Sequence, residues 1–242
     1  MTRPDTVVIV AGGGPPADAV ARQLPRGVTT IAADSGLEHA RALGLEVALA
    51  VGDMDSVDPN VLAAAAGAGV RIERHPEAKD ATDLDLALDA ALSHHPRRIV
   101  VVTGTGDRLD HTLALATLLG SPRTSDVGSI EAWIGSTHLS VIRDRGRTVL
   151  RGEPGDLVSL VPMHGPALGI MTDGLLYPLR DEDLPVGSTR GVSNELAAAE
   201  ASVRLREGVL MAVQPGQAGT HWRRRVADEG RAAERPGEPG PP

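Results

Sequence analysis

The sequence predicts an α/β fold, an N-terminal domain on a parallel sheet followed by a smaller all-β domain. Two changes of texture carry that expectation. Up to about residue 122, short β-branched runs alternate with Ala/Leu-rich helical segments, which implies βαβ units and a parallel sheet covered on both faces. Beyond residue 126, short apolar runs are separated by Gly, Pro and Asp turns with no long helix between them, the pattern of a sandwich or a barrel.

In the first half the strands are read at "TVVIVAG", "VTTIAAD", "VALAVGD", "VRIERHP" and "RRIVVVTG". The helices are read at "ADAVARQL", "LEHARALG", "PNVLAAAAGAG", "ATDLDLALDAALSHH" and "LDHTLALATLLG". In the second half the strands are "SIEAWIG", "HLSVIRD", "RTVLRG", "DLVSLVPM", "ALGIMTDG", "SVRLREG" and "VLMAVQ". The expected domains are therefore 1–122 and 126–215. A tail, 216–242, is rich in Arg, Gly and Pro, has little to bury and is expected to be disordered.

Composition bounds the chemistry. The chain has 242 residues, 41% of them apolar and 23% charged, the balance of a soluble globular protein. Its core must be aliphatic, because Phe is absent, Tyr occurs once and Trp twice. Without cysteine there is no disulfide and no thiolate metal site. No segment reads as a signal peptide or a membrane span, so a cytosolic location is expected. A formal charge of -8 argues against broad attraction to nucleic acid or to anionic lipid.

Ligands of parallel sheets collect beyond the carboxyl ends of the strands, and those positions are acidic here. Strand two ends at Asp34, strand three at Asp53 and Asp55, strand four leads into "KDATD" with Asp80 and Asp83, and strand five ends in "TGTGDRLDH". Carboxylates from separate loops would meet at one edge and raise each other's pKa. A hard cation resolves that conflict, and Mg²⁺ is commonly shared between carboxylates and substrate phosphates. Asp53 and Asp55, two apart, share a face if the backbone between them is extended.

Plainer readings stand beside these. Asp53, Asp55 and Ser56 can simply organise a turn, with Ser56 or Asp58 capping a helix that starts at Pro59. Asp80 or Thr82 can cap the next helix, and Asp83 suits its first turn electrostatically. In "GTGDRLDH" the glycines permit a tight turn with Asp110 as a cap, or else the turn aims N–H groups and Arg108 at an anion; His111 alone is more often packed or capping than a ligand. A competing signal is Gly12-x-Gly14-x-x-Ala17 after a strand, with Asp34 ending the next strand, close to a nicotinamide-dinucleotide fingerprint. Pro15 and Pro16 weaken it, because they lack N–H groups that should face a pyrophosphate.

One residue type is conspicuous. Lys79 is the sole lysine among 24 basic residues, and it lies beside Asp80, Asp83 and Asp85. It either forms an ordinary ion pair or supplies a compact charge where a guanidinium fork would not serve.

Taken in order, "AADSGLEHARALGLEVALAVGDMDS", "HPEAKDATDLDLAL" and "TGTGDRLDHTLALATLL" resemble the catalytic domain of the thiamine pyrophosphokinase family. The similarity continues through "TDGLLYPL" and "RGVSNEL". The resemblance implies an α/β catalytic domain paired with a β-sandwich domain, a homodimer, and transfer of diphosphate from Mg-ATP to the hydroxyl of thiamine with release of AMP. It implies Asp53, Asp55 and Asp83 as Mg²⁺ ligands with Asp80 assisting, and Asp83 or Asp80 as acceptor of the thiamine hydroxyl proton. Lys79 would follow the moving phosphate. Asp34, Arg108, Asp110 and His111 would lie on the nucleotide side, while Ser193 and Asn194 would meet thiamine, across the dimer interface. The chain departs from the animal and yeast versions, which stack thiamine on a tryptophan where this sequence reads "REGVLMAVQP", leaving Leu210 or Met211 there. Two other classes stay open at this level: a nicotinamide-dependent oxidoreductase, and a non-catalytic nucleotide or thiamine-binding protein.

Overall fold

The computed structural model describes residues 5–78, 80–106 and 108–217. Strand β1 (Thr6–Val10), sequence TVVIV, is buried along its whole length, as a β-branched run must be when both faces of its sheet are covered. It is flanked by β2 (Thr29–Ala33) and β5 (Arg98–Thr103), both parallel to it, with Ile9 opposite Ile31 on one side and Val101 on the other. β3 (Val47–Gly52) and β4 (Arg71–Arg74) extend the sheet beyond β2. β6 (Ser129–Ile134) extends it beyond β5, again in parallel. The order β4-β3-β2-β1-β5-β6 reverses direction between β1 and β5 and brings six carboxyl ends to one edge.

Four α-helices make the connections from β2 onwards. α3 (Asp83–Ser93) and α4 (Leu109–Gly120) cover one face, packing Ala87, Leu88, Ala91, Leu115 and Leu119 on Val7, Ile9, Ile99 and Val101. The other face is covered by α1 (Gly36–Ala42), near Val8 and Val10, and by α2 (Pro59–Gly67), near Ala32 and Ala50. Burial of each such Leu, Ile or Val stabilises the fold by about 1.5–3 kcal/mol relative to exposure. The caps follow the local chemistry. Asp58 accepts from the Asn60 N–H at 2.7 Å ahead of Pro59, and Thr82 accepts from the Asp85 N–H at 3.2 Å. Asp110 is not the cap of α4: it sits inside the first turn, after Arg108.

Two expected elements differ. The segment "ADAVARQL" forms only a five-residue 3-10 turn, Asp18–Arg22, between Pro15-Pro16 and Pro25. "DLVSLVPM" and "ALGIMTDG", read as two strands, are one 17-residue strand, β9 (Leu157–Asp173). It bends at His164 and Gly165, which have φ of 58° and 151°. The His164 ring is anchored there on α4 by a 2.7 Å hydrogen bond between Nε2 and the Thr117 carbonyl.

The all-β half grows from the same sheet. β7 (Thr137–Arg143) returns antiparallel to β6, and β13 (Glu207–Gln214) lies between β7 and β9. Past its bend, β9 pairs with β10 (Arg180–Leu184) and β12 (Glu200–Arg204), and β12 pairs with β8 (Arg147–Arg151). The short β11 (Asn194–Glu195) joins the start of β9. Leu160, Leu210 and Ile142 thus face Leu150, Ile170 and Val203 across a second core. The expected boundary at 122–126 falls between β5 and β6, which are hydrogen-bonded neighbours, so the ladder crosses it without a break.

Candidate active site

The carboxyl edge is assembled by close backbone approach. A methyl group added to Gly14 would lie 2.2 Å from the Thr105 carbonyl oxygen, and one on Gly104 would lie 2.0 Å from that of Gly14. The Thr103 hydroxyl donates to the Gly12 carbonyl at 2.9 Å. These glycines exist so that the loops after β1 and β5 can lie against each other. The Gly12-x-Gly14 stretch is followed by the 3-10 turn rather than by an α-helix, so the helix N-terminus that a dinucleotide pyrophosphate needs is missing from this position.

Beside these loops, carboxylate oxygens of Asp34, Asp53 and Asp55 all lie within 4.8 Å of one another. Asp34 continues β2, its N–H donating to the Val51 carbonyl at 2.9 Å, and then turns at φ 49° into α1. Asp83, the first residue of α3, comes in over Gly52. A Cβ at Gly52 would stand 3.0 Å from Asp83 Oδ1 and 3.3 Å from Asp34 Cβ, and Gly52 has φ 148°. Gly52 is therefore the floor on which two carboxylates converge.

Asp34 is the acid that the described residues leave incompletely satisfied. Asp34 Oδ1 is buried without a hydrogen-bond partner among the described residues. Burial pushes the Asp34 carboxyl above its ordinary value; a backbone hydrogen bond from Ser35 pulls against this, and the charges of Asp83, Asp53 and Asp55 add to the rise. A buried acceptor left over among four acids is what a bound cation would satisfy, and an all-oxygen donor set suits Mg²⁺.

The expected extended backbone between Asp53 and Asp55 is not what brings them together. Met54 between them has φ 63°, and the Asp55 N–H donates to Asp53 Oδ1 at 3.2 Å while the Ser56 hydroxyl donates to Asp55 Oδ1 at 2.9 Å. The i, i+2 rule for strands does not apply to a reversed turn. Gly52 and Met54 had no signal in composition or periodicity. The first is visible only as a glycine between a strand and two acids.

The other candidates lie elsewhere. Asp80 is exposed on the approach to α3, and Lys79 lies outside the described residues. Arg108, Asp110 and His111 are exposed at the start of α4. Arg108 Nη2 reaches Asp110 Oδ2 at 2.7 Å, and this hydrogen bond holds the Asp110 carboxyl down at about 2. Arg108 is thus paired with a neighbour rather than with the acid cluster.

In the all-β half, Ser193 is exposed at φ 59° and its N–H donates to the Ser159 hydroxyl at 3.1 Å. Asn194 is buried. Its Oδ1 accepts from the N–H groups of Tyr177 and Glu195, and its Nδ2 donates to the Tyr177 carbonyl at 2.7 Å, so the amide braces the Tyr177 loop. Leu210 and Met211 are buried in β13 and offer no face for a ring to stack on; Trp222 lies outside the described residues.

The family model described as thiamin pyrophosphokinase, catalytic domain, matches residues 22–128, and that of the thiamin pyrophosphokinase vitamin B1 binding domain matches residues 147–210. The thiamine pyrophosphokinase of Bacillus subtilis (strain 168) is 27% identical over 184 residues, covering 76% of this chain and 86% of the relative. Its crystal structure superimposes with a TM-score of 0.76, covering 86% of this chain and 98% of that chain. The Geobacillus thermodenitrificans thiamin pyrophosphokinase, also 27% identical, gives 0.71 over 86% and 96%. Yeast thiamin pyrophosphokinase, at 13% identity and a TM-score of 0.66 over 88% and 87%, shares the fold. Both halves of the chain thus match the two domains of one enzyme, each in its expected place, and the chain belongs to the thiamine pyrophosphokinase family.

Proposed function

We propose that this chain transfers the terminal diphosphate of ATP to the hydroxyl of thiamine, giving thiamine diphosphate and AMP. The observation that carries the proposal is the convergence of Asp34, Asp53, Asp55 and Asp83 at the carboxyl edge of the sheet, with Asp34 Oδ1 buried and unpartnered among the described residues. Asp34, Asp53 and Asp55 would hold Mg²⁺, with Asp83 alongside. Mg²⁺ supplies charge neutralisation for the phosphates as negative charge moves on to the leaving α-phosphate.

The residues themselves position and hold the proton. The thiamine oxygen forms a bond to the β-phosphorus, the bond from that phosphorus to the α-phosphate oxygen breaks, and AMP departs with the electron pair. The hydroxyl proton passes to a carboxylate, and Asp83, at the first turn of α3, is our choice over the exposed Asp80. Lys79 is assigned to the phosphate in flight, and Arg108, Asp110 and His111 to the nucleotide side of the edge. On the thiamine side we place Ser193, with Asn194 acting through the Tyr177 loop it braces.

We further propose a homodimer, for which the exposed Met171, Leu176, Tyr177 and Val192 on the all-β half offer apolar side chains to a partner. No helix among the described residues is long and apolar enough to cross a membrane, and a cytosolic location belongs to the same proposal.

The decisive assay incubates the purified chain with thiamine, ATP and Mg²⁺ and quantifies products. AMP and thiamine diphosphate in equal amounts are expected. Formation of ADP with thiamine monophosphate would replace diphosphate transfer by ordinary phosphoryl transfer, and ligand binding without turnover would make the chain a sensor.

A further inference from the structure

The structure assigns Met54 a task that its chemistry does not advertise: we propose that it is a positioning residue, whose buried side chain locks the turn that brings Asp53 and Asp55 to a common metal. The inference rests on the metal reading above and adds a residue that touches no ligand.

The argument begins with the backbone. Met54 sits at φ 63°, a region that glycine and asparagine enter cheaply and that an ordinary side chain enters only when its surroundings hold it there. Methionine has no local hydrogen bond to offer in exchange. What holds it is burial: only 5% of Met54 is exposed, and it belongs to the cluster of Leu37, Ala50, Val57 and Ala65 between the sheet and α1 and α2. In the run Gly52-Asp53-Met54-Asp55-Ser56 it is the sole apolar side chain large enough to serve as an anchor.

The two ends of the turn are fixed independently. Gly52 lies under Asp83 at a φ of 148° that side chains rarely adopt, and Asp58, which caps α2, donates its own N–H to Glu38 Oε1 at 3.0 Å. Between these fixed points the peptide can point its acids together only if residue 54 is reversed. Were it extended, the loop would present the same residues with a different spacing. An unbranched, pliable side chain suits the task, because a β-branched one resists positive φ while a shorter one leaves the cluster unfilled.

The test compares two substitutions of nearly equal apolar volume, Met54→Leu and Met54→Ile. Both can fill the cluster, but isoleucine is β-branched. Mn²⁺ binding to the protein without nucleotide or thiamine is measured by electron paramagnetic resonance. Met54→Leu is expected to stay within about threefold of wild type, and Met54→Ile to bind at least about tenfold more weakly, the scale of loss seen when a group supporting a metal ligand is removed. In turnover, the Mg²⁺ concentration for half-saturation should rise for Met54→Ile while kcat at saturating Mg²⁺ stays within about twofold, a split that lost packing alone would not give.

Equal Mn²⁺ affinity in the Leu and Ile variants overturns the proposal. If Met54→Ile fails to fold, Met54→Gly, which accepts positive φ but removes the anchor, decides instead: weakened Mn²⁺ binding supports the assignment and unchanged binding overturns it. Wild-type protein that binds no Mn²⁺ overturns the metal reading and this proposal together, a result distinct from binding that is insensitive to residue 54.

Discussion

Two groups of ionisable side chains sit on the same sheet and are handled in opposite ways. At the carboxyl edge, Asp34 lies among Asp53, Asp55 and Asp83, has one buried oxygen without a partner among the described residues, and has its carboxyl pushed up. On β6, Glu131 is more deeply enclosed, and burial by itself would push it up too. Hydrogen bonds from His138 and from both Nε and Nη2 of Arg98 more than offset that, and hold it down at about 2. Ser129 donates to the same carboxylate at 3.0 Å, and the His138 ring lies 4.6 Å from that of Trp133. Depth alone does not separate a structural acid from a functional one. Glu131 is paired within the chain, whereas one oxygen of Asp34 has no partner among the described residues, the state expected of an acid that receives a cation.

The largest expected effect breaks the group around Asp34. Asp53→Asn should lower kcat/KM by at least about 100-fold, or ~2.7 kcal/mol of barrier, without loss of folding. Steady-state kinetics with a circular dichroism control checks it; a loss under about threefold would remove Asp53 from the metal site.

Next, Glu131→Gln should destabilise the fold by about 2 kcal/mol at pH 7, allowing for the partly exposed Arg98, and leave Mn²⁺ affinity unchanged. Glu131 titrates lower in the folded chain than in the unfolded one, so its stabilisation is present above about 4.5 and is lost as pH falls towards about 2. Urea melts across that window should show wild type and variant converging at the acid end.

The smallest effect has the reverse sign. The Asp34 carboxyl is raised in the folded chain, so it costs stability once pH exceeds the unfolded value of 3.8, and the cost is complete above the folded pKa. Asp34→Asn, which keeps a side chain tolerant of φ 49°, should raise the stability of the metal-free protein at pH 7. The gain should vanish below pH 3.8, and Mn²⁺ should no longer stabilise the variant. Thermal melts with and without Mn²⁺ at both pH values measure this, and a less stable variant at pH 7 would mean that Asp34 is compensated after all.

Much of this was legible in the residues. Continuous β-branched runs such as TVVIV read directly as buried parallel strands, and the acids following β2 and β3 read as an edge because topology puts all parallel carboxyl ends together. Other parts could not be read. β10, sequence RDEDL, carries no apolar alternation, since it pairs at the rim of β9 with its charges outward. The bend that makes one strand of two lies at His164 and Gly165, a pair that looks like any turn until α4 is seen beneath the imidazole. Within the site, residue identity indicated which groups could bind a cation. It could not show that Asp34 rather than Asp83 completes the closest trio, nor that a methionine would be reversed between two acids.

The last described strand, β13, is not at a rim but in the middle, zipped between β7 and β9. During synthesis, therefore, the edges of β7 and β9 that face each other stay unpaired until residues 207–214 leave the ribosome and slot in. An internal deletion of those eight residues would cut the sheet along its centre line, separating β9 and its partners from β7 and the rest of the ladder.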